Sequence, residues 1–240
     1  MKVIVCQDYA EMSVKAARII AGQIISKPDG ILGLATGSTP EGAYKELIRL
    51  YENGLIDFSD IKTYNLDEYY PIKPDNDQSY RYFMDHHLFN YVNIKKENVH
   101  IPSGEMKNPA VECKEYDEMV EKDGGIDLQL LGIGRNGHIG FNEPAETLFD
   151  GTHVTGLTES TIEANSVLFP SPDMMPRHAV TMGMGLIRNA RKILLVANGK
   201  NKHEALMGLL EGGITTAIPA SLLKLHPNVI VVCDEEAYHG

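Results

Sequence analysis

Short apolar segments alternate along the chain with longer segments that have the periodicity of helices. Six of the apolar segments are rich in Val, Ile and Leu and are bounded by Gly, Asp or Asn, which predicts strands buried on both faces. They comprise residues 2–6, 31–35, 61–65, 127–131, 192–196 and 229–232. After the first segment, apolar residues recur at the spacing of one helix face, at Ala10, Val14, Ala17, Ala21 and Ile24. Asp8 is the predicted N-cap of this helix.

The same helical spacing returns later in the chain. Ala43, Leu47 and Leu50 follow Pro40, and a helix predicted over 202–211 is closed by the glycine pair at 212–213. Strands that alternate with helices predict a doubly wound, mostly parallel sheet with helices on both faces, a Rossmann-like α/β fold. We expect a single catalytic domain over residues 1–240, with its ligand beyond the carboxyl ends of the strands.

Composition narrows the partners of such a domain. Hydrophobic residues make up 43% of the 240, and the formal net charge is -11. An acidic chain repels phosphate polymers and anionic lipid, so we expect neither nucleic acid nor a membrane as partner. The three cysteines, Cys6, Cys113 and Cys233, are expected to be buried free thiols in a reducing compartment. The apolar run at the start is too short for a signal peptide, which favours a cytoplasmic location.

The strand predicted over 31–35 runs into a tight turn and a helix start. Gly37 allows a turn that residues with a Cβ resist, Thr39 is the predicted N-cap, and Pro40 suits the first helical position. Free amides at a helix start bind anions, and the hydroxyls of Ser38 and Thr39 add donors. Residues Thr36 to Thr39 are therefore a candidate phosphate loop, although they lack the Gly-Lys-Ser/Thr ending of a nucleotide P-loop. The alternative is an ordinary capped turn.

Two acids follow the strand predicted over 61–65. Asp67 and Glu68 stand beside Tyr69 and Tyr70. A carboxylate at a strand end, partly shielded from water, can have a raised pKa and serve as a proton acceptor. The alternative is a solvated acidic loop.

A glycine-rich loop follows the strand predicted over 127–131. Gly132, Gly134 and Gly137 match the dinucleotide-binding fingerprint in form. That fingerprint requires a helix directly after its third glycine, and Gly140 and Pro144 would break one. We therefore interpret the match as accidental and expect no nicotinamide site.

The same loop holds Asn136, His138 and Glu143 close together. Histidine exchanges protons near neutral pH, and a nearby carboxylate and amide can fix its tautomer and its position. The loop is therefore a candidate proton-transfer site, and a structural histidine is the alternative. His86 and His87, in a helical pattern, are interpreted as structural.

Three of these motifs together resemble the glucosamine-6-phosphate deaminase family, in its shorter bacterial form. They are Leu-Ala-Thr-Gly-Ser-Thr-Pro at 34–40, Asn-Leu-Asp-Glu-Tyr at 65–69 and Gly-Ile-Gly-Arg-Asn-Gly-His-Ile-Gly-Phe-Asn-Glu-Pro at 132–144. The resemblance continues through Gly-Lys-Asn-Lys at 199–202, Ile-Pro-Ala-Ser-Leu at 218–222 and Leu-His-Pro at 225–227, so it covers nearly the whole chain.

The resemblance implies an amino-sugar-phosphate deaminase, classified as a hydrolase of the aldose–ketose isomerase type. Such an enzyme converts glucosamine 6-phosphate to fructose 6-phosphate and ammonia. It implies that Asp67 abstracts the C2 proton, that His138 opens the sugar ring, and that Asn136 and Glu143 support His138. Lys202 matches a phosphate-binding lysine beside the phosphate loop. No cofactor and no metal are expected, since the reaction has no redox step and no His/Cys spacing suggests a metal site.

One position departs from the family pattern. A stretch that reads Ala-Asn-x-Arg-Phe-Phe in the family supplies an arginine to the substrate, and here it reads Ala-Asn-Ser-Val-Leu-Phe at 164–169. Val167 stands in place of the arginine, so we expect weak substrate affinity or a substitute cation such as Arg135 or Arg177. Two other functions stay open: a deaminase-isomerase for galactosamine 6-phosphate or another hexose 6-phosphate, and a non-catalytic sugar-phosphate sensor. Monomer and homo-oligomer also stay open.

Overall fold

All six predicted strands belong to one sheet. The computed structural model describes residues 1–167 and 169–240, apart from the side chains of Ala164 and Pro172. Its strands are β1 (Lys2–Cys6), β2 (Ile31–Leu34), β3 (Lys62–Asn65), β4 (Asp67–Tyr70), β5 (Val99–His100), β6 (Leu128–Leu131), β7 (His153–Gly156), β8 (His178–Thr181), β9 (Ile193–Ala197) and β10 (Val229–Asp234). Its helices are α1 (Tyr9–Ser26), α2 (Ser38–Glu52), α3 (Tyr80–His87), α4 (Pro109–Lys122), α5 (Glu159–Ser166), α6 (Met184–Asn189), α7 (His203–Leu210) and α8 (Glu235–His239).

The main sheet is parallel throughout. Its seven strands have the order β1-β10-β9-β6-β2-β3-β5, and each neighbouring pair is parallel. From the centre, β2 leads outward to β3 and β5, and β6 leads in the other direction to β9 and β10. This order confirms the predicted doubly wound α/β fold. It also places the topological switch point between β2 and β6.

A second, antiparallel sheet of order β4-β8-β7 was absent from our prediction. Asp67 pairs with Thr181 and Tyr69 pairs with Ala179 in its register. Its strands are short and mix acidic, polar and aromatic residues, so they lack the apolar runs that marked the others. A separate apolar cluster underlies this sheet, formed by Tyr69, Ile72, Phe141, Ile162, Phe169, Met175 and Ala179.

The first helix begins as predicted and buries most of the predicted face. The side chain of Asp8 accepts a hydrogen bond from the Glu11 amide at 2.8 Å, which confirms the N-cap. Ala17, Ala21 and Ile24 are buried as predicted, whereas Ala10 is exposed. The buried face consists of Met12, Ser13, Ala16, Ala17, Ile20, Ala21 and Ile24.

The predicted start of α2 was wrong. The helix begins at Ser38 with Gly37 as its N-cap, so Thr39 is not the cap and Pro40 is not the first helical residue. The Thr39 hydroxyl donates instead to Asn198 Oδ1 at 2.7 Å, which ties the helix start to the segment after β9. The end of α7 agrees with the prediction, since the Gly212 amide donates to the Met207 carbonyl.

Other predictions concern single residues. Cys6, Cys113 and Cys233 are buried free thiols, as expected. His86 lies in α3 and hydrogen-bonds the Tyr82 carbonyl through Nδ1 at 2.9 Å, in agreement with a structural role. Within the described ranges, no helix is long and apolar enough to cross a membrane. That residues 1–240 form one domain stays a prediction.

Candidate active site

Four neighbouring strand ends bring the predicted site residues to one edge of the sheet. β9, β6, β2 and β3 lie side by side and run parallel, so their carboxyl ends share that edge. The candidate phosphate loop follows β2, Asp67 follows β3, the glycine-rich loop follows β6, and Lys202 follows β9. Ligands of open α/β sheets bind at this edge, beside the topological switch point.

The start of α2 presents amides to the solvent at this edge. Gly37 has a φ of 100°, and among the described residues no side chain caps the first turn. Gly37 and Ser38 are exposed, and the space around Gly37 is open. Unpaired amides at the start of a 15-residue helix carry partial positive charge, so residues 36–39 can bind an anion.

Lys202 lies beside the glycine-rich loop. Its Nζ donates to the Ile133 carbonyl at 2.7 Å, and the segment that carries it is tied to Thr39 through Asn198. Burial, and after it the charge of Arg135, lower the pKa of Lys202. Two cations thus lie near each other, and an anion bound there would relieve their repulsion. That Lys202 binds phosphate stays a prediction.

Asp67 is the first residue of β4, and only 6% of it is exposed. Burial, and next the charge of Glu68, raise the pKa of Asp67 to about 8. Its carboxylate faces the glycine-rich loop, because a Cβ built on Gly140 would lie 3.6 Å from Asp67 Oδ2 and 2.8 Å from Thr181 Oγ1. Gly140 has a φ of 58°, so both its conformation and this close approach favour glycine.

His138 and Glu143 form a hydrogen-bonded pair within this loop. His138 Nδ1 lies 3.1 Å from Glu143 Oε2, which also accepts a hydrogen bond from Asn136 Nδ2 at 2.6 Å. The Thr161 hydroxyl donates to the other oxygen, Oε1, at 2.5 Å. The imidazole lies against Gly134, where any Cβ would overlap the ring. Gly134 therefore contacts the imidazole ring, and Glu143 fixes the ring through its Nδ1.

These contacts set the charge of Glu143 and the tautomer of His138. Burial opposes ionisation of Glu143, but hydrogen bonds and charge from His138, with hydrogen bonds from Thr161 and Asn136, outweigh it and lower the pKa of Glu143 to about 2. An ionised carboxylate only accepts hydrogen bonds, so His138 must donate through Nδ1–H. Nε2 of the neutral ring is then left to exchange a proton with a substrate.

Sequence reasoning missed the contribution of α5. Thr161 lies on α5 and bonds Glu143, and Asn165 Nδ2 on the same helix donates to the Tyr69 hydroxyl at 3.1 Å. Thr161 is 18 residues from Glu143, and no local motif marks it. Val167 follows α5 and is 80% exposed, and its side chain has no polar group to offer a substrate. Leu168, the next residue of that family stretch, lies outside the described residues.

Neither of two open cavities contains the His138–Glu143 pair. The first has about 340 Å³ and is lined by Pro71, Ile72, Lys73, Asn76, Glu105, Met174 and Pro176. The second, of about 660 Å³, has Glu68 in its wall and is described further below. In the part of the chain that the structure describes, no three His, Cys, Asp or Glu side chains are grouped as metal ligands would be.

The fold and these contacts define a site suited to proton transfer on an anionic substrate. It combines a carboxyl with a raised pKa, an oriented imidazole and an uncapped helix start at one sheet edge. The sequence profile of the glucosamine-6-phosphate isomerase and 6-phosphogluconolactonase family matches residues 8–231. The chain belongs to this family.

Individual relatives are similar over nearly their whole length. A glucosamine-6-phosphate deaminase of Thermoanaerobacter pseudethanolicus is 56% identical over 237 residues, which cover 99% of this chain and 94% of that protein. One of Clostridium perfringens is 53% identical and is covered to 98%. The expected classification as a hydrolase finds no support here, since these relatives are described as deaminases.

Solved structures agree with the sequence comparison. The structure of a monomeric glucosamine-6-phosphate deaminase superposes with a TM-score of 0.96 at 48% identity and covers 99% of this chain and 98% of its own. A 6-phosphogluconolactonase from Thermotoga maritima gives a TM-score of 0.77 at 21% identity, with coverage of 98% and 99%. The second likeness shows a shared fold.

Replacement of Asp67 by Asn should stabilise the protein increasingly as the pH rises. The carboxyl has a pKa of about 8 when folded and about 3.9 when unfolded, so the folded chain binds the proton more tightly. The contribution of this carboxyl to the unfolding free energy therefore falls as the pH rises between these two values. The Asn side chain does not titrate, so it causes no such fall. We expect the unfolding free energy of Asp67→Asn, measured against wild type by denaturant titration, to gain up to about 1.4 kcal/mol per pH unit across this range.

The control for this comparison is Asp75→Asn, on an exposed loop, which removes one charge at the surface. A difference between Asp67→Asn and wild type that stays constant from about pH 5 to about pH 8 would contradict the raised pKa of Asp67.

Proposed function

We propose that the protein isomerises and deaminates glucosamine 6-phosphate, giving fructose 6-phosphate and ammonia. The observation that supports this most is the buried Asp67 carboxyl facing the loop that holds the His138–Glu143 pair. Relatives at 52–56% identity carry the name glucosamine-6-phosphate deaminase, which supports the same substrate for this chain. The start of α2 and Lys202 would bind the phosphate.

The first step is ring opening at His138. A closed sugar ring opens when the anomeric hydroxyl loses a proton and the ring oxygen gains one. Nε2 of the neutral imidazole takes the first proton and returns it to the ring oxygen, while Glu143 keeps the Nδ1 proton in place. The bond between C1 and the ring oxygen breaks, and an aldehyde forms at C1.

The second step is proton transfer from C2 to C1 by Asp67. The aldehyde acidifies the C2 hydrogen, and the ionised Asp67 takes it. The electrons of that bond form a C1–C2 double bond as the aldehyde oxygen takes a proton from water, which gives an enolamine. Asp67 then returns its proton to C1, the amino group gives one proton back to the water-derived base, and a 2-imine results. A raised pKa makes Asp67 a stronger base than an ordinary aspartate, which supports this role.

The last step releases ammonia. Water adds to C2 of the imine, the C2–N bond breaks, and a ketone remains at C2. No electrons are exchanged with a second substrate in any step, so the reaction calls for no redox cofactor. Addition of water at C2 is the hydrolytic part of the proposal.

The oriented proton carriers favour catalysis over a sugar-phosphate sensor. A sensor has no need for a carboxyl whose pKa is raised beside an imidazole whose tautomer is fixed. Galactosamine 6-phosphate differs from the proposed substrate only at C4, and the two sugars are therefore compared directly in the assay.

The test is a coupled assay of purified protein with millimolar glucosamine 6-phosphate. We expect fructose 6-phosphate and ammonia in equal amounts, with galactosamine 6-phosphate converted more slowly at every concentration.

Asp67→Asn should still bind the substrate but lose activity by a factor of about 10² to 10⁴, because general-base catalysis is removed. Exchange of the C2 hydrogen with deuterium should stop in this variant. Absence of both products with wild type would refute the proposed function, and normal exchange in Asp67→Asn would assign the base to another residue.

Val167→Arg tests whether the site lacks a phosphate contact. An arginine gives a charge-assisted, two-pronged contact that valine does not. One such contact is worth roughly 1.5–3 kcal/mol, so KM for glucosamine 6-phosphate should fall about ten-fold or more while kcat stays unchanged. The control is Met174→Arg, which adds the same charge at a position that is 61% exposed.

Two outcomes would contradict this expectation. An equal fall of KM in the control would mean that any added positive charge attracts the substrate. A rise of KM in Val167→Arg would mean that another cation already occupies that space, for which Arg135 and Arg177 are the candidates.

A further inference from the structure

Glu68 is a buried acid that the reaction steps above do not use. It follows Asp67 on β4, and only 2% of it is exposed. Its Oε1 accepts hydrogen bonds from the Tyr69 amide at 2.9 Å and the Tyr80 amide at 2.8 Å, and its Oε2 accepts one from the Arg81 amide at 2.9 Å. A surface acid needs no such set of backbone donors, so this carboxylate has a structural partner in the start of α3.

That helix start carries an aromatic side chain toward the catalytic loop. Tyr80 is the first residue of α3, and its ring lies parallel to that of Phe141, with ring centres 6.1 Å apart. Its ring centre is 4.8 Å from that of Tyr69. Phe141 belongs to the loop that holds His138, and those two rings are 6.5 Å apart. The rings of Tyr80, Phe141 and His138 thus form a row, called the aromatic chain below. Glu68 fixes the Tyr80 end of this row, and the other end lies in the proton-transfer loop.

Glu68 also lies on the opposite face of β4 from Asp67. Side chains alternate across a strand, so Asp67 faces the catalytic loop while Glu68 faces the cavity of about 660 Å³. Arg81 and Asp85 also line this cavity. Arg81 Nε is paired with Asp85 Oδ2 at 3.0 Å, so its charge is already matched.

We propose that Glu68 is a positioning residue for the proton transfer by Asp67: its carboxylate fixes the start of α3, and with it Tyr80, and places a negative charge behind the base. The inference rests on the function proposed above. Glu68 contacts the substrate in no step, and it acts through Asp67 and through the aromatic chain.

The charges around the pair agree with this assignment. Burial, followed by the Glu68 charge, raises the pKa of Asp67 to about 8. Burial also raises the pKa of Glu68 to about 7, which the three backbone amides oppose. The charge of Asp67 also acts on three tyrosines that lie on helices, namely Tyr44, Tyr80 and Tyr116. Burial raises the pKa of each tyrosine, so all three are neutral. Among the described charged groups, Glu68 is the one whose charge acts on the pKa of Asp67.

The experiment compares the pH dependence of kcat/KM for three variants with that of wild type. Glu68→Gln is isosteric and neutral, so ionisation of Asp67 becomes easier and the acid limb should move to lower pH by about one unit. One carbonyl oxygen cannot replace two carboxylate oxygens as acceptor, so kcat should fall about ten-fold. The Tyr80 and Arg81 amides should also exchange faster with deuterium in this variant.

The two remaining variants separate charge from contact. Glu68→Asp keeps the charge but shortens the side chain, so the acid limb should stay in place while kcat falls. Asp117→Asn is the matched control, since the Asp117 carboxylate likewise accepts a backbone hydrogen bond, from the Thr152 amide at 2.9 Å. It should leave both the acid limb and kcat unchanged.

An acid limb that stays in place in Glu68→Gln, with only a lower melting temperature, would overturn the proposal and leave Glu68 a structural role.

If wild type gives no products, the proposed function fails, and the inference is tested separately by carbon-13 NMR of the carboxyl groups. In wild type, the Asp67 resonance should show a second inflection as Glu68 titrates, with Asp67→Asn used for assignment. A single inflection there would contradict the proposal, including the case in which Glu68→Gln does not fold.

Discussion

Glu143 carries its negative charge where little water reaches it, and three side chains replace the missing water. Asn136, His138 and Thr161 each hydrogen-bond this carboxylate, so its pKa is lowered although burial acts in the opposite direction. Each partner is fixed in return: the loop after β6 through Asn136, the imidazole through Nδ1, and α5 through Thr161. A buried carboxylate that lost these bonds would be neutral, and the tautomer of His138 would no longer be specified.

Asp67 shows the opposite outcome from a similar degree of burial. Its exposure is 6% and that of Glu143 is 9%, yet burial raises the pKa of Asp67 to about 8 whereas that of Glu143 is lowered to about 2. The difference is the supply of donors, since Asp67 has the Glu68 charge beside it where Glu143 has three hydrogen bonds. In the proposed reaction these two acids have different tasks, since Asp67 accepts a proton and Glu143 holds His138.

The sequence predicted what short segments encode. Apolar runs located the strands of the parallel sheet, and the prediction of a parallel sheet placed the ligand beyond their carboxyl ends, where the loops after β2, β3 and β6 lie. The antiparallel sheet was missed because β4 and β7 are four residues each and contain few apolar side chains in sequence. Thr161 and the role of Glu68 were out of reach for another reason. Their contacts join residues 18 and 13 positions apart through tertiary packing, which no local spacing encodes.

The tautomer of His138 is the property on which this account of the site depends most directly. Nitrogen-15 NMR of the imidazole groups, with His138→Gln used to assign the resonances, measures it without substrate. For the neutral ring the account predicts a proton on Nδ1, hydrogen-bonded to Glu143, and none on Nε2. Replacement of Glu143 by Gln should mix the two tautomers. A proton found on Nε2 in wild type, with Nδ1 bare, would contradict the arrangement, because Nε2 could not then accept a proton from the sugar.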